Sequence, residues 1–281
     1  MKGLPPSTLC VDLDVTGHTR KAKYELKNLF PEVPVTSLFS TPKPSLLIRY
    51  LLTLASEHDS IIMDFFSGSA TTADAVMQQN IEDGGKRRWI LVQISEMCDD
   101  NNEFFQSICD MGTERIRRAG DRIKQEHPDA DIDIGFKVFR TADTNIKWNS
   151  LMDLGQIDIS QLEYTPDLLD FMPDAKDIDI VYELMLRQRD VALSEKMEQL
   201  SDIGDRTYLY ASSYLVCLET EITENLVSKL AELDPLPIKF IFRDSAFKDD
   251  IALKDETFRR LKALIEKNAG TNKPTYTVEF I

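Results

Sequence analysis

Apolar positions in this chain switch between two periods, and the switches mark its elements. Ser45 to Ala55 repeats apolar residues at helical spacing, and Pro44 sits where a first-turn proline costs little. Ser60 to Phe65 is a short apolar run ended by Asp64 and small residues, which predicts a buried strand. A helix is expected from about Thr72 to Asn80, then a turn at Asp83-Gly84-Gly85. Arg88 to Ile94 reads as a second buried strand, unbroken by polar alternation. Strand, helix and strand within about 35 residues predict one right-handed unit of a parallel sheet. A helix from about Phe104 to Glu126 follows, carrying Ile108, Met111, Ile116 and Ile123. Its polar side holds Arg115, Arg117, Arg118 and Arg122, read either as a solvated face or as phosphate contacts. Gly135 to Arg140 alternates as an edge or antiparallel strand should.

The ends of the chain are patterned differently. Residues 1–36 read as an amino-terminal arm with a short helix at Lys21 to Phe30, stopped by Pro31 and Pro34. The sheet-bearing part is expected over 37–149, and an acidic linker or lid over 150–177. A small α/β domain is expected over 178–281. Its helices are placed at 178–187, 222–233 and 255–267, and its strands at 207–211, 214–218 and 238–242. The predicted class is therefore α/β throughout.

Composition narrows the chemistry. With 42% hydrophobic residues in 281, the chain can bury a core or two. A net charge of −15 argues against a broad basic face for nucleic acid. Cys10, Cys98, Cys109 and Cys217 are widely spaced, and only three histidines occur, so structural zinc is not expected. Reduced thiols in a cytoplasmic protein are the plain reading. No apolar run resembles a signal peptide or a membrane span. His18, His58 and His127 show no evident partner, and Asp174, Asp177 and Asp179 lack metal-loop spacing.

The richest stretch is Asp64-Phe65-Phe66-Ser67-Gly68-Ser69-Ala70-Thr71-Thr72. A strand end running through small residues into a helix presents free backbone N–H groups and a carboxylate to one ligand. One glycine does not make a dinucleotide fingerprint, which leaves a nicotinamide-dependent oxidoreductase without its glycines. No Gly-Lys-Ser/Thr ending makes a phosphate loop. Asp64 would repel a phosphate and suits a cationic ligand, such as the sulfonium and ammonium of S-adenosylmethionine. Gly68 lets the backbone approach, with Ser67 and Ser69 keeping the approach narrow. Gln93 and Glu96 are candidates for ribose hydroxyls; the plainer alternative has Gln93 ending a strand and Glu96 capping the next segment. Of Phe65 and Phe66, one should pack the core and the other cover the cofactor. Trp89 is expected in the core, and Lys43 is either solvated or beside the cofactor's carboxylate.

The runs Phe39 to Ile48, Ile62 to Val76 and Asn80 to Gln93, with Gly135 to Phe139, resemble bacterial DNA adenine methyltransferases. The nearer likeness is to the modification subunit of type III restriction–modification systems. That resemblance implies a Rossmann-like, S-adenosylmethionine-dependent sheet, here incomplete. It implies methyl transfer to the exocyclic amine of adenine in DNA, a restriction subunit as partner and, in addition, a second modification subunit. It assigns Pro42, Lys43 and Pro44 to the methionine end of the cofactor, Asp64, Phe66 and Gly68 to the cofactor loop, and Gln93 to the ribose side. Ala70 stands where the family usually has glycine, which matters if that residue needs a positive φ. No Asp-Pro-Pro-Tyr-like loop occurs, and no long target-recognition region. The expectation is a carboxyl-terminal half that holds cofactor, assigns no catalytic residue and is inactive alone. The alternative is a non-catalytic interaction module working through 178–281.

Overall fold

The computed structural model describes residues 12–98, 102–147, 166–248, 250–270 and 274–281. The chain divides into two compact units, split between Val138 and Phe139.

The first unit begins with α1 (Leu13–Thr16), α2 (Thr19–Leu29) and α3 (Ser45–Ala55). His18 starts α2 by accepting a hydrogen bond at Nδ1 from the Lys21 amide, which gives that histidine its role. Then come β1 (Ile61–Asp64), α4 (Thr71–Asp83), β2 (Arg88–Leu91) and α5 (Ile108–Glu126). Ser107 and Asp110 close a reciprocal capping box at the start of α5.

The core of this unit joins Leu26, Leu29, Phe30 and Val33 to Ala73 and Met77 of α4 and to Met111, Ile116, Ala119 and Ile123 of α5. The expected amino-terminal arm is thus corrected: Leu26, Leu29, Phe30 and Val33 belong to the core, because α2 turns one apolar stripe inward. Trp89 packs at the core's margin, as expected, 6.0 Å from the Phe136 ring. The strand expected at Gly135 to Arg140 does not form. Ile132, Ile134 and Phe136 still alternate onto the core, without ladder partners.

β1 and β2 pair in parallel, with Ile61 opposite Arg88 and Asp64 opposite Leu91. Side chains alternate across a strand, so Ile62, Asp64, Trp89 and Leu91 share the inner face. The other face carries Ile61, Met63, Ile90 and Val92, all exposed. Both strands were expected to be buried; their inner face is half-buried and their outer face exposed. Parallel strands are ordinarily covered on both faces, so this sheet is bare where a layer is normally found.

The second unit opens with α6 (Pro166–Asp170) and α7 (Asp177–Arg187). β3 (Met197–Gln199), β4 (Thr207–Tyr210), β5 (Tyr214–Cys217), α8 (Glu224–Leu230), β6 (Lys239–Phe242), α9 (Ile251–Ala269) and β7 (Thr277–Phe280) follow. The sheet order is β3-β4-β5-β6-β7, antiparallel through β5 and parallel from β5 to β7. Ile180, Val181, Leu184 and Met185 of α7 cover one face with Tyr210, Val216 and Ile241. Leu226, Val227, Leu230, Leu261 and Ile265 cover the other with Leu215, Phe240 and Phe242.

Arg243, just after β6, is fully buried. Its Nε donates to Asp170 at 2.8 Å, and its Nη1 donates to Asp167 at 2.6 Å and to the Leu218 carbonyl at 3.2 Å. The guanidinium also lies 4.9 Å over the Phe171 ring. Of the expected linker or lid, 150–165 lies outside the described residues. The stretch 166–171 is fastened to the second unit by this arginine, and the unit starts before the expected 178.

Candidate cofactor-binding site

The corner between β1 and α4 is built by continuation of the sheet past its last paired residues. The Val92 amide donates to the Asp64 carbonyl at 2.9 Å, and the Ser67 amide donates to the Val92 carbonyl at 3.2 Å. Asp64 sits half-buried at the carboxyl end of β1. Its Oδ1 accepts from the Phe66 amide at 3.1 Å, and its Oδ2 accepts from the Thr72 hydroxyl at 2.6 Å. These two bonds aim the carboxylate and leave it further acceptor capacity. Gln93 lies two residues past the end of β2. Its Oε1 accepts from the Gly68 amide at 2.7 Å, and its Nε2 donates to the Ile94 carbonyl at 3.1 Å. Asp64, Gly68 and Gln93 are therefore brought together.

The turn is left-handed at two places. Gly68 has φ +52°, a conformation glycine adopts freely. Ala70 has φ +59° and ψ +36°, at the N-cap of α4. A residue with a Cβ pays for that geometry, so the substitution of alanine at a usual glycine position falls where it matters. The Phe39 ring stands 3.3 Å from where a Gly68 Cβ would lie. The Phe39 amide donates to Met111 Sδ at 3.3 Å. That places the start of the Phe39 to Pro44 segment against the corner. Pro42 and Pro44 are buried and Lys43 is exposed. The Ser45 amide donates to Glu25 Oε2 at 3.0 Å, which anchors the end of this loop. Among the described residues no hydrogen bond or ion pair joins Lys43 to Asp64.

Of the other expected site residues, Ser67 and Ser69 flank Gly68 in the turn, and the Phe66 amide bonds Asp64. Phe65 and Phe66 are 60% and 79% exposed, with ring centroids 5.4 Å apart. Neither packs the core, because the strand ends at Asp64 and alternation ends with it. Ser69 is buried beneath the turn, whereas Ser67 is half-buried. Glu96 is exposed, and its backbone bonds Ile94 and Ile108.

Four residues behind the corner were not foreseen. Arg115 of α5 is fully buried. Its Nη1 donates to Thr71 Oγ1 at 2.7 Å and to the carbonyl and hydroxyl oxygens of Ser69 at 3.3 Å. Its Nε and Nη2 donate to Asp74 Oδ2 at 3.3 and 3.1 Å. Asp74, also buried, accepts from Arg122 and Gln78 at Oδ1. Thr72 aims Asp64, as described, and Gly112 packs α5 on the turn, where a Cβ would make ordinary contact, 3.4 Å from the Ala70 Cβ and the Gly68 carbonyl oxygen.

On the arginine side of α5 the solvated reading fails for Arg115 and holds for Arg117, which is 55% exposed. Arg117 and Arg118 share Glu114, whose carboxyl is held down to about 2, chiefly by its bonds from Arg117. Arg118 also lies 4.5 Å over the Phe30 ring. The periodicity carried a signal for Arg115. It lies in the stripe of Met111, Gly112, Ile116 and Ala119, and a charge in an apolar stripe needs a buried partner.

Among the described residues no cluster of His, Cys, Asp and Glu is arranged to hold a metal ion. No described helix is long and apolar enough to cross a membrane.

Residues 12–108 match the model of the DNA methylase family. The chain is 35% identical over 151 residues to the type III restriction–modification enzyme StyLTI Mod subunit of Salmonella typhimurium, covering 52% of this chain and 22% of that subunit. It is 36% identical over 129 residues to the EcoPI Mod subunit of Escherichia phage P1, covering 44% and 19%. It is 30% identical over 112 residues to the type II methyltransferase M.KpnI of Klebsiella pneumoniae, covering 38% and 26%. The matches therefore span about a fifth to a quarter of the relatives' lengths. The likeness to type III modification subunits read in the sequence holds: the chain is related to them.

Proposed function

We propose that the first unit is the S-adenosylmethionine-binding part of a type III modification methyltransferase acting on adenine in DNA. The observation that carries this is the convergence of Asp64, Gly68 and Gln93 at the carboxyl end of β1, inside the segment with the DNA methylase pattern. The chemistry of the donor set fits the cofactor. An aimed carboxylate suits its cationic methionine end, a glycine admits it to the backbone, and an amide suits its ribose. When bound, the cofactor supplies an activated methyl group.

The chain's own residues would bind and orient. Asp64 would hold the ammonium side, with Pro42, Lys43 and Pro44 flanking the carboxylate end. Ser67, Gly68 and Ser69 would border the cofactor, with Gln93 and then Glu96 toward the ribose. Phe65 and Phe66, exposed beside the corner, would cover its apolar edge. Gln93 already bonds the Gly68 amide, so ribose binding would share or exchange that amide side chain. The sheet is α/β in kind, and its bare face supports the reading of an incomplete Rossmann-like layer.

A base-holding Asp-Pro-Pro-Tyr-like loop is absent from the sequence, so this chain alone should not methylate DNA. In the complete protein the partners would be DNA, a restriction subunit and a second modification subunit. The second unit has cores on both sheet faces, which favours a separate domain, and its proposed role is subunit contact.

Calorimetric titration with S-adenosylmethionine tests the reading. The chain should bind it, and Asp64→Ala should weaken binding by removing the charged partner. No heat at millimolar cofactor refutes the site; equal affinity in the variant removes Asp64 from it. Methyl transfer to DNA by the purified chain alone refutes the predicted inactivity.

A further inference from the structure

We propose that Arg115 is the positioning residue of the cofactor loop, holding the turn in its binding shape from behind. The inference rests on the cofactor reading above and assigns a role to a group that does not touch the ligand. The turn needs an external brace. Two of its residues, Gly68 and Ala70, sit in the left-handed region, and strained backbone persists only where its surroundings over-determine it.

Arg115 supplies that constraint through one rigid fork. One side of the guanidinium grips Ser69 and Thr71, on either side of Ala70. The other side is locked by Asp74, one turn into α4. The strained residue is thus held between two bonded neighbours, and the brace is tied to the helix that the turn begins. Gly112, one turn earlier on α5, lies against Ala70 and the Gly68 carbonyl, so the helix packs on the turn where the fork reaches it. Nothing here is solvent-facing, so the bonds act without competition from water. A lysine carries the charge but has no planar fork, and it cannot span Asp74 and the Ser69/Thr71 pair in one geometry.

The test compares three versions of the full chain: unchanged, Arg115→Lys and Ile123→Ala. The last opens the same core at the far end of α5, away from the turn. Binding of S-adenosylhomocysteine is measured at a temperature where circular dichroism shows all three fully folded. Amide hydrogen exchange is read at Gly68, Ala70 and, for reference, Ala119.

Arg115→Lys should lose about tenfold in affinity, the order expected for losing charge-assisted bonds that set the loop's shape. It should also speed exchange at Gly68 and Ala70 more than at Ala119. Ile123→Ala should keep its affinity and show no selective change at the turn. Unchanged exchange at Gly68 and Ala70 in Arg115→Lys overturns the proposal. So does an equal affinity loss in Ile123→Ala. If the unchanged chain binds no ligand, the cofactor reading fails instead, and the exchange comparison still decides whether Arg115 holds the turn.

Discussion

Replacing Gly68 with alanine should destabilise the first unit by about 1 kcal/mol, and the figure follows from three opposing effects. A Cβ at φ +52° costs roughly 1–2 kcal/mol. The new methyl would stand 3.3 and 3.4 Å from two carbons of the Phe39 ring, so the ring must move by a few tenths of an ångström. Against this, alanine narrows the unfolded ensemble and returns about 0.4–1 kcal/mol. Ala70 shows that an alanine can occupy this region in this turn, so the variant should fold. Urea denaturation followed by Trp89 fluorescence, in a Trp148→Phe background, reads the first unit directly. With a slope of about 2 kcal/mol/M the midpoint should fall by about 0.5 M. The reciprocal change, Ala70→Gly, is the control. It releases similar strain but gives up a buried methyl worth about 0.8 kcal/mol and the same entropy, so its midpoint should barely move. A Gly68→Ala midpoint equal to or above the unchanged protein's, at equal slope, would refute the left-handed requirement at residue 68.

Arg243→Met takes the cation from Asp170, whose side chain is 13% exposed, and from Asp167, which is 51% exposed and keeps Arg206, so the loss is that of charge-assisted hydrogen bonds, about 1.5–3 kcal/mol. The second unit's melting temperature should fall by several degrees in calorimetry, and a negligible shift would show that the pair contributes little. Acid should also weaken the first unit in a defined window. The Arg87 guanidinium, first among the causes, holds the Asp83 carboxyl down to about 2. A carboxyl depressed in the folded state contributes fully above its unfolded value near 4 and loses that contribution as pH falls toward 2. Urea midpoints at pH 5, 4 and 3 should decline, and Asp83→Asn should flatten the decline; an unchanged slope in that variant would remove Asp83 from the account.

The cofactor corner was legible because its parts are neighbours in the chain: strand end, turn and helix start occupy Ile61 to Thr72. Gln93 was legible for the same reason, lying just past the second strand. What stayed hidden depends on partners far along the chain. Arg115 is 41 residues from Asp74, and on a helix rich in arginine it looked like one more solvated side chain. Phe65 and Phe66 were expected to divide between core and cofactor by strand alternation, but the strand stops one residue earlier. In the second unit, β3 stayed hidden because Met-Glu-Gln carries one apolar residue, whereas Thr-Val-Glu-Phe of β7 alternates as a strand should and was legible without being read. A continuous apolar run cannot tell one covered face from two, which is why the exposure of Met63 and Ile90 had to come from the structure.

That exposed face governs how copies of the chain behave toward one another. Ile61, Met63, Ile90 and Val92 form a sticky stripe beside unpaired strand edges, the usual starting point for edge-to-edge aggregation. A net charge of −15 keeps such molecules apart at low ionic strength. At physiological salt the repulsion reaches only about 8 Å beyond the surface. Dilution and low salt therefore favour dispersed single chains, and concentration with added salt favours clustering through the stripe. A polypeptide layer laid over that face would act as a built-in dispersant before it contributed any chemistry.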